Sequence, residues 1–131
     1  MALIEELGLS RPKRALMPCI LIVDDDADIR RSIAELAKEA GYITIEARDA
    51  DQALRVMERG RISVVLTDWH MPGLMDGFEL AGRVSEKWPE VRLIITSGWV
   101  IPLPGIPPPG AEFLAKPFSE KSLAKLLLAA A

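Results

Sequence analysis

Apolar residues occur in short runs along most of the chain, separated by amphipathic stretches. Such runs predict buried strands, because a parallel strand covered on both faces is apolar almost throughout. The runs cover residues 20–23, 64–67, 92–96 and 113–115. Residues 43–47 alternate apolar and polar positions, which predicts a strand nearer the edge of the sheet.

Between these strands, apolar residues recur every three or four positions, the spacing of one face of an α-helix. The first such stretch follows Asp26, its predicted N-cap, and ends at Gly41. A second follows Asp49, which begins a capping-box pattern. A third covers residues 77–87, and the last follows Ser119. Strict alternation of strands and helices predicts parallel pairing with right-handed crossovers and helices on both sheet faces.

The expected fold class is therefore α/β, with a doubly wound five-stranded parallel sheet. The expected strand order, 2-1-3-4-5, is adopted from flavodoxin-like proteins. Residues 99–110 interrupt the alternation, since five prolines lie between positions 102 and 109, where a fourth crossover helix belongs. Each interior proline costs a helix about 3 kcal/mol. We therefore expect helix four of the sheet, the crossover between the fourth and fifth strands, to be short or missing.

A chain of 131 residues is long enough for one domain with its own core. We expect an N-terminal extension over residues 1–18 and one domain over residues 19–131. In the extension, Leu3, Ile4 and Leu7 share one helical face, so it is either a short docking helix or a frayed end, the commoner fate of termini.

Charge and hydropathy exclude several classes of partner. The net charge of −3 provides no basic surface for nucleic acid. No apolar run reaches the roughly 18 residues of a membrane span, and the N-terminus lacks a signal-peptide pattern. The single cysteine, Cys19, excludes a disulfide within the chain and fits a reducing compartment. We expect a cytoplasmic protein that binds neither nucleic acid nor membrane.

Acidic residues follow two of the predicted strands. Asp24, Asp25 and Asp26 come after the first strand, and Asp68 ends the third. In the expected order these strands are neighbours, so the carboxylates converge and cannot all stay ionised without compensation. A hard divalent cation, best Mg²⁺, would supply it. Alternatively, the acids only cap the first helix, the role we expect for Asp26.

Two further strand ends carry polar groups suited to phosphate. Thr96 ends the fourth strand, and Lys116 follows the fifth. A hydroxyl, an ammonium and a metal ion around one carboxylate form a receptor for a phosphoryl group. Each element alone is weak, but the combination indicates phosphoryl transfer centred on Asp68.

With these motifs, residues 18–131 resemble the receiver (REC) domain of bacterial two-component response regulators. The matching motifs are Val23-Asp24-Asp25, Thr67-Asp68-Trp69-His70-Met71-Pro72-Gly73, Thr96-Ser97 and Phe113-Leu114-Ala115-Lys116-Pro117-Phe118. The intervals of 43, 28 and 20 residues between Asp25, Asp68, Thr96 and Lys116 are also similar to those of the family.

The resemblance implies that Asp68 accepts phosphate from a histidine kinase or a histidine phosphotransfer protein. It implies that Thr96 and Lys116 serve this reaction, and that Thr96 and Phe113 switch conformation afterwards. It also implies an Mg²⁺ ion held by carboxylates and one backbone carbonyl. These ligands would come from Asp24, Asp25 and Asp68, with the carbonyl of His70.

We thus expect a phosphorylation-dependent switch rather than an enzyme, with self-phosphorylation and autodephosphorylation as its only reactions. It would be a stand-alone receiver or the receiver of a hybrid kinase, acting on an unknown downstream protein. The proline-rich departure suggests a remodelled output surface, with phosphorylation ordering or shifting the loop at residues 97–111. The loop from Pro72 to Gly77 is also one residue longer than the family's common form.

Two alternatives belong to other functional classes. One is a Mg²⁺-dependent phosphohydrolase acting on small phosphates with Asp68 as nucleophile. Such enzymes usually need a second acid two residues later, where this chain has His70, and a cap domain. The other is a pseudo-receiver that is never phosphorylated and acts only as an interaction module.

Overall fold

The computed structural model describes residues 3–9, 17–98 and 107–129. Its strands are β1 (Cys19–Val23), β2 (Ile43–Ala47), β3 (Val64–Asp68), β4 (Arg92–Ser97) and β5 (Glu112–Ala115). Its helices are α1 (Leu3–Glu6), α2 (Ala27–Glu39), α3 (Ala50–Arg59), α4 (Gly77–Lys87) and α5 (Glu120–Leu128). All strand pairs are parallel, and the order is β2-β1-β3-β4-β5. The predicted α/β class and strand order are confirmed.

Successive residues of the central strands supply two separate cores, one on each face of the sheet. On β1, Ile20 and Ile22 pack under α2 and α5, whereas Leu21 and Val23 pack under α3 and α4. This follows from the two-residue period of side chains along a strand. Burial on both faces explains why β1 and the first three residues of β3 are continuous apolar runs.

Side-chain caps fix where the helices begin. Asp26 accepts hydrogen bonds from two amides of the first turn of α2, and Asp49 accepts one from the amide of Gln52. Ser119 caps α5 in the same way. At the other end of α2, Gly41 has φ +101° and reverses the chain, a backbone conformation that favours glycine. All four predicted helix boundaries are confirmed.

The N-terminal extension includes a docked helix. Ile4 of α1 is 0% exposed and lies in the core formed with α2 and α5, while Leu7 and Leu9 pack against that core. Gly8 has φ +77°, and the amide of Leu9 returns a hydrogen bond to the carbonyl of Ile4 at 3.0 Å. Of the two forms considered for the extension, the docking helix is the one observed for the described residues.

The connection from β4 to β5 lies largely outside the described residues, so the prediction for residues 99–106 cannot be compared. The part that is described, residues 107–111, contains a turn closed by a hydrogen bond from the amide of Ala111 to the carbonyl of Pro108. No helix occurs in that part. Among the described residues, no helix is long and apolar enough to cross a membrane.

Two polar side chains tie the edge strand and α5 to the rest of the sheet. Arg92 of β4 forms an ion pair with Glu112 of β5 and donates to the carbonyl of Leu126 at 2.8 Å. The hydrogen bonds to Glu112 raise the pKa of Arg92, against the effect of burial. The hydroxyl of Tyr42 donates to the carbonyl of Leu127 at 2.6 Å. The last turn of α5 is thus held to β4 through Arg92 and to the residue before β2 through Tyr42.

Ile4→Ala is expected to lower the free energy of unfolding by about 2 kcal/mol, because it removes buried methyl groups and leaves a cavity. Urea denaturation measures the change. Glu5→Ala is the matched control, since Glu5 is exposed in the same helix. Equal stability of the two variants would show that α1 does not dock in solution.

Candidate functional site

The carboxyl ends of four strands bring the predicted site residues together. Asp24 directly follows β1, Asp68 ends β3, and Lys116 directly follows β5. The carboxylate oxygens of Asp24, Asp25 and Asp68 all lie within 4.8 Å of one another. The order of the sheet makes this possible, since β1 and β3 are neighbours and place their ends side by side.

Lys116 lies between the two buried acids. Its Nζ is 3.2 Å from Oδ2 of Asp68 and 3.3 Å from Oδ2 of Asp24. The amide of Lys116 donates to the carbonyl of Ser97 at 2.8 Å, which extends the pairing of β5 with β4. One ammonium group therefore compensates two carboxylates, and Asp25 adds a third, exposed, negative charge.

The pKa values of the two ion-paired groups, Asp68 and Lys116, are both raised. Burial, together with the charge of Asp24, raises the pKa of Asp68, although Lys116 and the amide of His70 oppose the shift. Burial lowers the pKa of Lys116, but the carboxylates of Asp68 and Asp24 outweigh it, so that this pKa is raised. Lys116 therefore stays charged at neutral pH, whereas ionisation of Asp68 lowers the stability of the folded protein.

Asp24 is fixed within its loop from several directions. Its side chain is almost fully buried, with the residue 1% exposed, and its Oδ1 accepts a hydrogen bond from the amide of Asp26 at 2.9 Å. Its own amide donates to the carbonyl of Ala47 at 3.2 Å. Its carbonyl accepts a hydrogen bond from Arg30. Asp25, the next residue, is exposed and faces the same cluster.

Asp68 is also held by its surroundings and is 9% exposed. Its Oδ1 accepts a hydrogen bond from the amide of His70 at 3.4 Å. The hydroxyl of Thr67 donates to the carbonyl of Asp68 at 3.0 Å, and the amide of Trp69 donates to the carbonyl of Thr96 at 2.8 Å. The carboxylate is therefore pre-positioned by backbone contacts on both sides of the residue.

Thr96 supplies a hydroxyl beside Asp68. These residues are register partners in β3 and β4, and partners in a parallel pair direct their side chains to the same face. The Oγ1 of Thr96 is buried and, within the described segments, has no hydrogen-bond partner. A buried hydroxyl without a partner is costly, which favours an oxygen-bearing ligand as its partner.

The donor set fits a hard divalent cation. Three carboxylates offer oxygen ligands within a small volume, and Asp25 is exposed enough to leave room for water. Mg²⁺ prefers such oxygens and keeps several waters. Since Lys116 compensates only part of the negative charge, a cation would relieve the repulsion that remains.

An aromatic contact connects the site to the edge strand. Trp69, next to Asp68, is 0% exposed, and its ring centroid lies 4.8 Å from that of Phe78 and 6.0 Å from that of Phe113. Phe113 itself is 41% exposed. The structure makes Trp69 the packing link between the end of β3 and β5.

Gly77 is a site residue whose role the sequence did not reveal. A Cβ atom at this position would lie 1.7 Å from the carbonyl oxygen of Asp68, so no side chain fits without a backbone shift. The amide of Gly77 also donates to the carbonyl of Trp69 at 3.0 Å. Glycine is needed here for the close approach of α4 to the backbone behind Asp68. The sequence predicted that a helix begins at residue 77, but it did not show that this residue contacts the backbone of Asp68.

Gly77→Ala is expected to lower the free energy of unfolding by about 3 kcal/mol, because α4 must move away from Asp68. Gly82→Ala in the same helix is the matched control, since a Cβ there meets nothing within 4 Å. Alanine at position 82 should stabilise by about 0.5–1 kcal/mol, as expected for an unhindered helix position. Urea denaturation of both variants measures the contrast, and destabilisation of similar size would contradict the close contact at Gly77.

Asp68→Asn is expected to raise the melting temperature of the metal-free protein near neutral pH. The pKa of Asp68 is raised in the folded protein, so the stability that its protonated form contributes is lost as pH rises through that pKa. Asparagine is neutral at every pH and avoids the loss. The difference in melting temperature between Asp68→Asn and the wild type should therefore shrink as the pH falls. It should vanish below pH 3.8, the ordinary pKa of the Asp68 carboxyl.

Thermal denaturation in EDTA over a pH series measures this difference. Glu90→Gln is the control, because Glu90 is exposed in the turn after α4. An Asp68→Asn variant no more stable than the wild type at neutral pH would contradict the repulsion inferred for the site.

Comparisons with known proteins identify the family. The model of the response regulator receiver domain matches residues 20–128. The chain is 32% identical over 121 residues to the response regulator receiver protein CpdR of Brucella abortus, covering 87% of this chain and all of that protein. It is 33% identical over 108 residues to the nitrogen assimilation regulatory protein NtrX of Azorhizobium caulinodans, covering 79% of this chain. The chain spans about a quarter of the length of NtrX, at 24%.

Solved structures agree with this result. The chemotaxis response regulator CheY4 of Vibrio cholerae superposes with a TM-score of 0.79 at 27% identity, covering 88% of this chain and all of that chain. The receiver domain of the hybrid histidine kinase CckA has a TM-score of 0.72 at 30% identity, covering 86% of this chain and 97% of that one. By family, fold and acidic site together, the chain belongs to the receiver domains of two-component response regulators.

Proposed function

We propose that Asp68 is the phosphoacceptor of this receiver domain and that Thr96 and Lys116 act with it. The observation that carries the proposal is the arrangement of Asp68, whose Oδ2 lies 3.2 Å from Nζ of Lys116 and which is the register partner of Thr96. The hydroxyl of Thr96 has no hydrogen-bond partner among the residues that the structure describes. These groups surround the place where a phosphoryl group on Asp68 would lie. The domain division into an extension at residues 1–18 and a receiver at residues 19–131 belongs to the same proposal, supported by the family match over residues 20–128.

In the proposed reaction a carboxylate oxygen of Asp68 attacks the phosphorus of a phosphohistidine. The new oxygen–phosphorus bond makes an acyl phosphate, and the phosphorus–nitrogen bond breaks with its electron pair returning to the imidazole. The ammonium of Lys116, which pairs with Asp68 beforehand, would then pair with a phosphoryl oxygen. Thr96 would donate its hydroxyl hydrogen to another phosphoryl oxygen, a partner for the buried Oγ1 that the described part of the chain does not supply.

The proposed cofactor is Mg²⁺. Asp24, Asp25 and Asp68 would hold it through their carboxylates, together with the backbone carbonyl of His70. When bound, Mg²⁺ supplies positive charge that neutralises phosphoryl oxygens during transfer. The protein's own part is to keep Asp24 and Asp68 in place through the amides of Asp26 and His70.

The proposed switch uses Thr96 and Phe113. Movement of Thr96 toward the phosphoryl group would change the packing at the end of β4, next to β5. Trp69 lies between the phosphoacceptor strand and Phe113, so its packing connects the two positions. The partly exposed ring of Phe113 is available for a new contact with a downstream protein.

The proposed donor is a histidine kinase or a histidine phosphotransfer protein, and the proposed location is the cytoplasm. The protein would be a switch without turnover on other substrates. A phosphohydrolase reading lacks support, since His70 occupies the position where such enzymes usually have their second acid. A pseudo-receiver would not need Lys116 paired with both acids.

Incubation with Mg²⁺ and acetyl phosphate is expected to give an acid-stable, base-labile phosphoryl adduct on the wild type and none on Asp68→Asn. Intact-mass spectrometry measures the adduct before and after alkaline treatment. Asp51→Asn is the control, because Asp51 is exposed on α3 away from the cluster. Adduct formation by Asp68→Asn would overturn the assignment, and rapid release of inorganic phosphate over many turnovers would indicate a hydrolase.

A further inference from the structure

Arg30 links the acidic loop to the neighbouring edge strand. Its side chain is 16% exposed and leaves the first turns of α2 toward the sheet. Nη1 donates to the carbonyl oxygen of Asp24 at 2.7 Å, and Nε donates to Oε1 of Glu46 on β2 at 3.0 Å. The guanidinium therefore bridges the loop after β1 and the strand beside it.

The carbonyl that Arg30 binds belongs to the peptide bond between Asp24 and Asp25. Rotation of that peptide plane would move both carboxylates of the acidic pair. Arg30 holds the oxygen of the plane, while the amide of Asp26 holds Oδ1 of Asp24 at 2.9 Å. The amide of Asp24 is held separately by Ala47 at 3.2 Å. Arg30 is the side-chain member of this set of contacts.

We propose that Arg30 is a positioning residue for the divalent cation that the acidic cluster would bind. The inference rests on the proposed function, because it concerns the geometry of the same Asp24 and Asp25 ligands. Among the bonds described for Arg30, none reaches a carboxylate of Asp24 or Asp25; Arg30 acts through the Asp24 carbonyl. Groups that orient metal ligands in this way commonly contribute about tenfold or more to metal affinity.

The direction in which Mg²⁺ affinity changes when Arg30 is replaced distinguishes a positioning role from a purely electrostatic one. A guanidinium close to a cation site repels a second cation, so removing its charge alone would tighten Mg²⁺ binding. Loss of positioning would weaken binding, because the Asp24–Asp25 peptide could then rotate. Pairing with Glu46 reduces the repulsive effect in the folded protein. We therefore expect the positional effect to dominate.

The test is a Mg²⁺ titration of the full chain followed by ¹H–¹⁵N NMR at the amides of Asp26 and His70, which donate to Asp24 and Asp68. Arg30→Met is expected to weaken Mg²⁺ binding about tenfold. Arg30→Lys should recover part of the affinity, because an ammonium can donate to one acceptor but cannot bridge both. Tighter or unchanged binding by Arg30→Met would overturn the proposal.

Arg83→Met is the matched control. Arg83 pairs with Glu79 at 2.8 Å within α4 and has no contact with the acidic loop among the bonds described for it. The affinity of the Arg83→Met protein for Mg²⁺ should equal that of the wild type. Urea denaturation of each variant shows that the titrated protein is folded, and a tenfold loss in Arg83→Met as well would attribute the effect to general destabilisation and overturn the proposal.

Asp25→Asn distinguishes failure of this inference from failure of the proposed function. If Asp25→Asn abolishes Mg²⁺ binding while Arg30→Met binds as the wild type does, only the role of Arg30 is wrong. If the wild type itself shows no Mg²⁺-dependent shifts, the cation site is wrong and the role of Arg30 falls with it.

Discussion

The repulsion among closely spaced carboxylates is the constraint on which the rest of this structure depends. Asp24 and Asp68 are buried and Asp25 lies beside them, yet Lys116 is the cation that contacts both buried acids. Such an arrangement persists only if the surrounding fold holds the acids in place. The remaining negative charge is also what gives the site its chemistry, since it favours a divalent cation and, through it, a phosphoryl group.

Because Lys116 follows the edge strand, the attachment of that strand matters for the site. An edge strand is paired on one side only, and the ion pair between Arg92 and Glu112 strengthens its connection to β4. Arg92 and Tyr42 also hold the last turn of α5, the helix that follows Lys116. Contacts at the far end of the sheet therefore help to keep the ammonium group beside Asp68.

The same architecture offers a route from the site to the surface. Trp69 packs between Phe78 of α4 and Phe113 of β5 directly after the residue proposed as phosphoacceptor. Under the proposed function, a change around Asp68 and Thr96 would alter the packing of Phe113, which is partly exposed. The proline-rich segment leads into β5 next to this surface, and its described end, at residues 107–111, contains a turn and no helix.

The sequence by itself determined the alternating elements, the helix caps at Asp26, Asp49 and Ser119, and the placement of acids, hydroxyl and lysine at strand ends. These features are local or periodic, so residue type and spacing are sufficient to predict them. The tertiary structure alone decided which groups touch. The contact of Gly77 with the backbone of Asp68, the full burial of Trp69 and the docking of Ile4 each join residues of different secondary-structure elements. The bridge from Arg30 to Asp24 and Glu46 is of the same kind, because nothing in the spacing of these residues shows that one guanidinium reaches both. Such contacts depend on how the helices pack on the sheet, and for that reason the sequence could indicate the chemistry of Asp68 but not the residues that hold it in position.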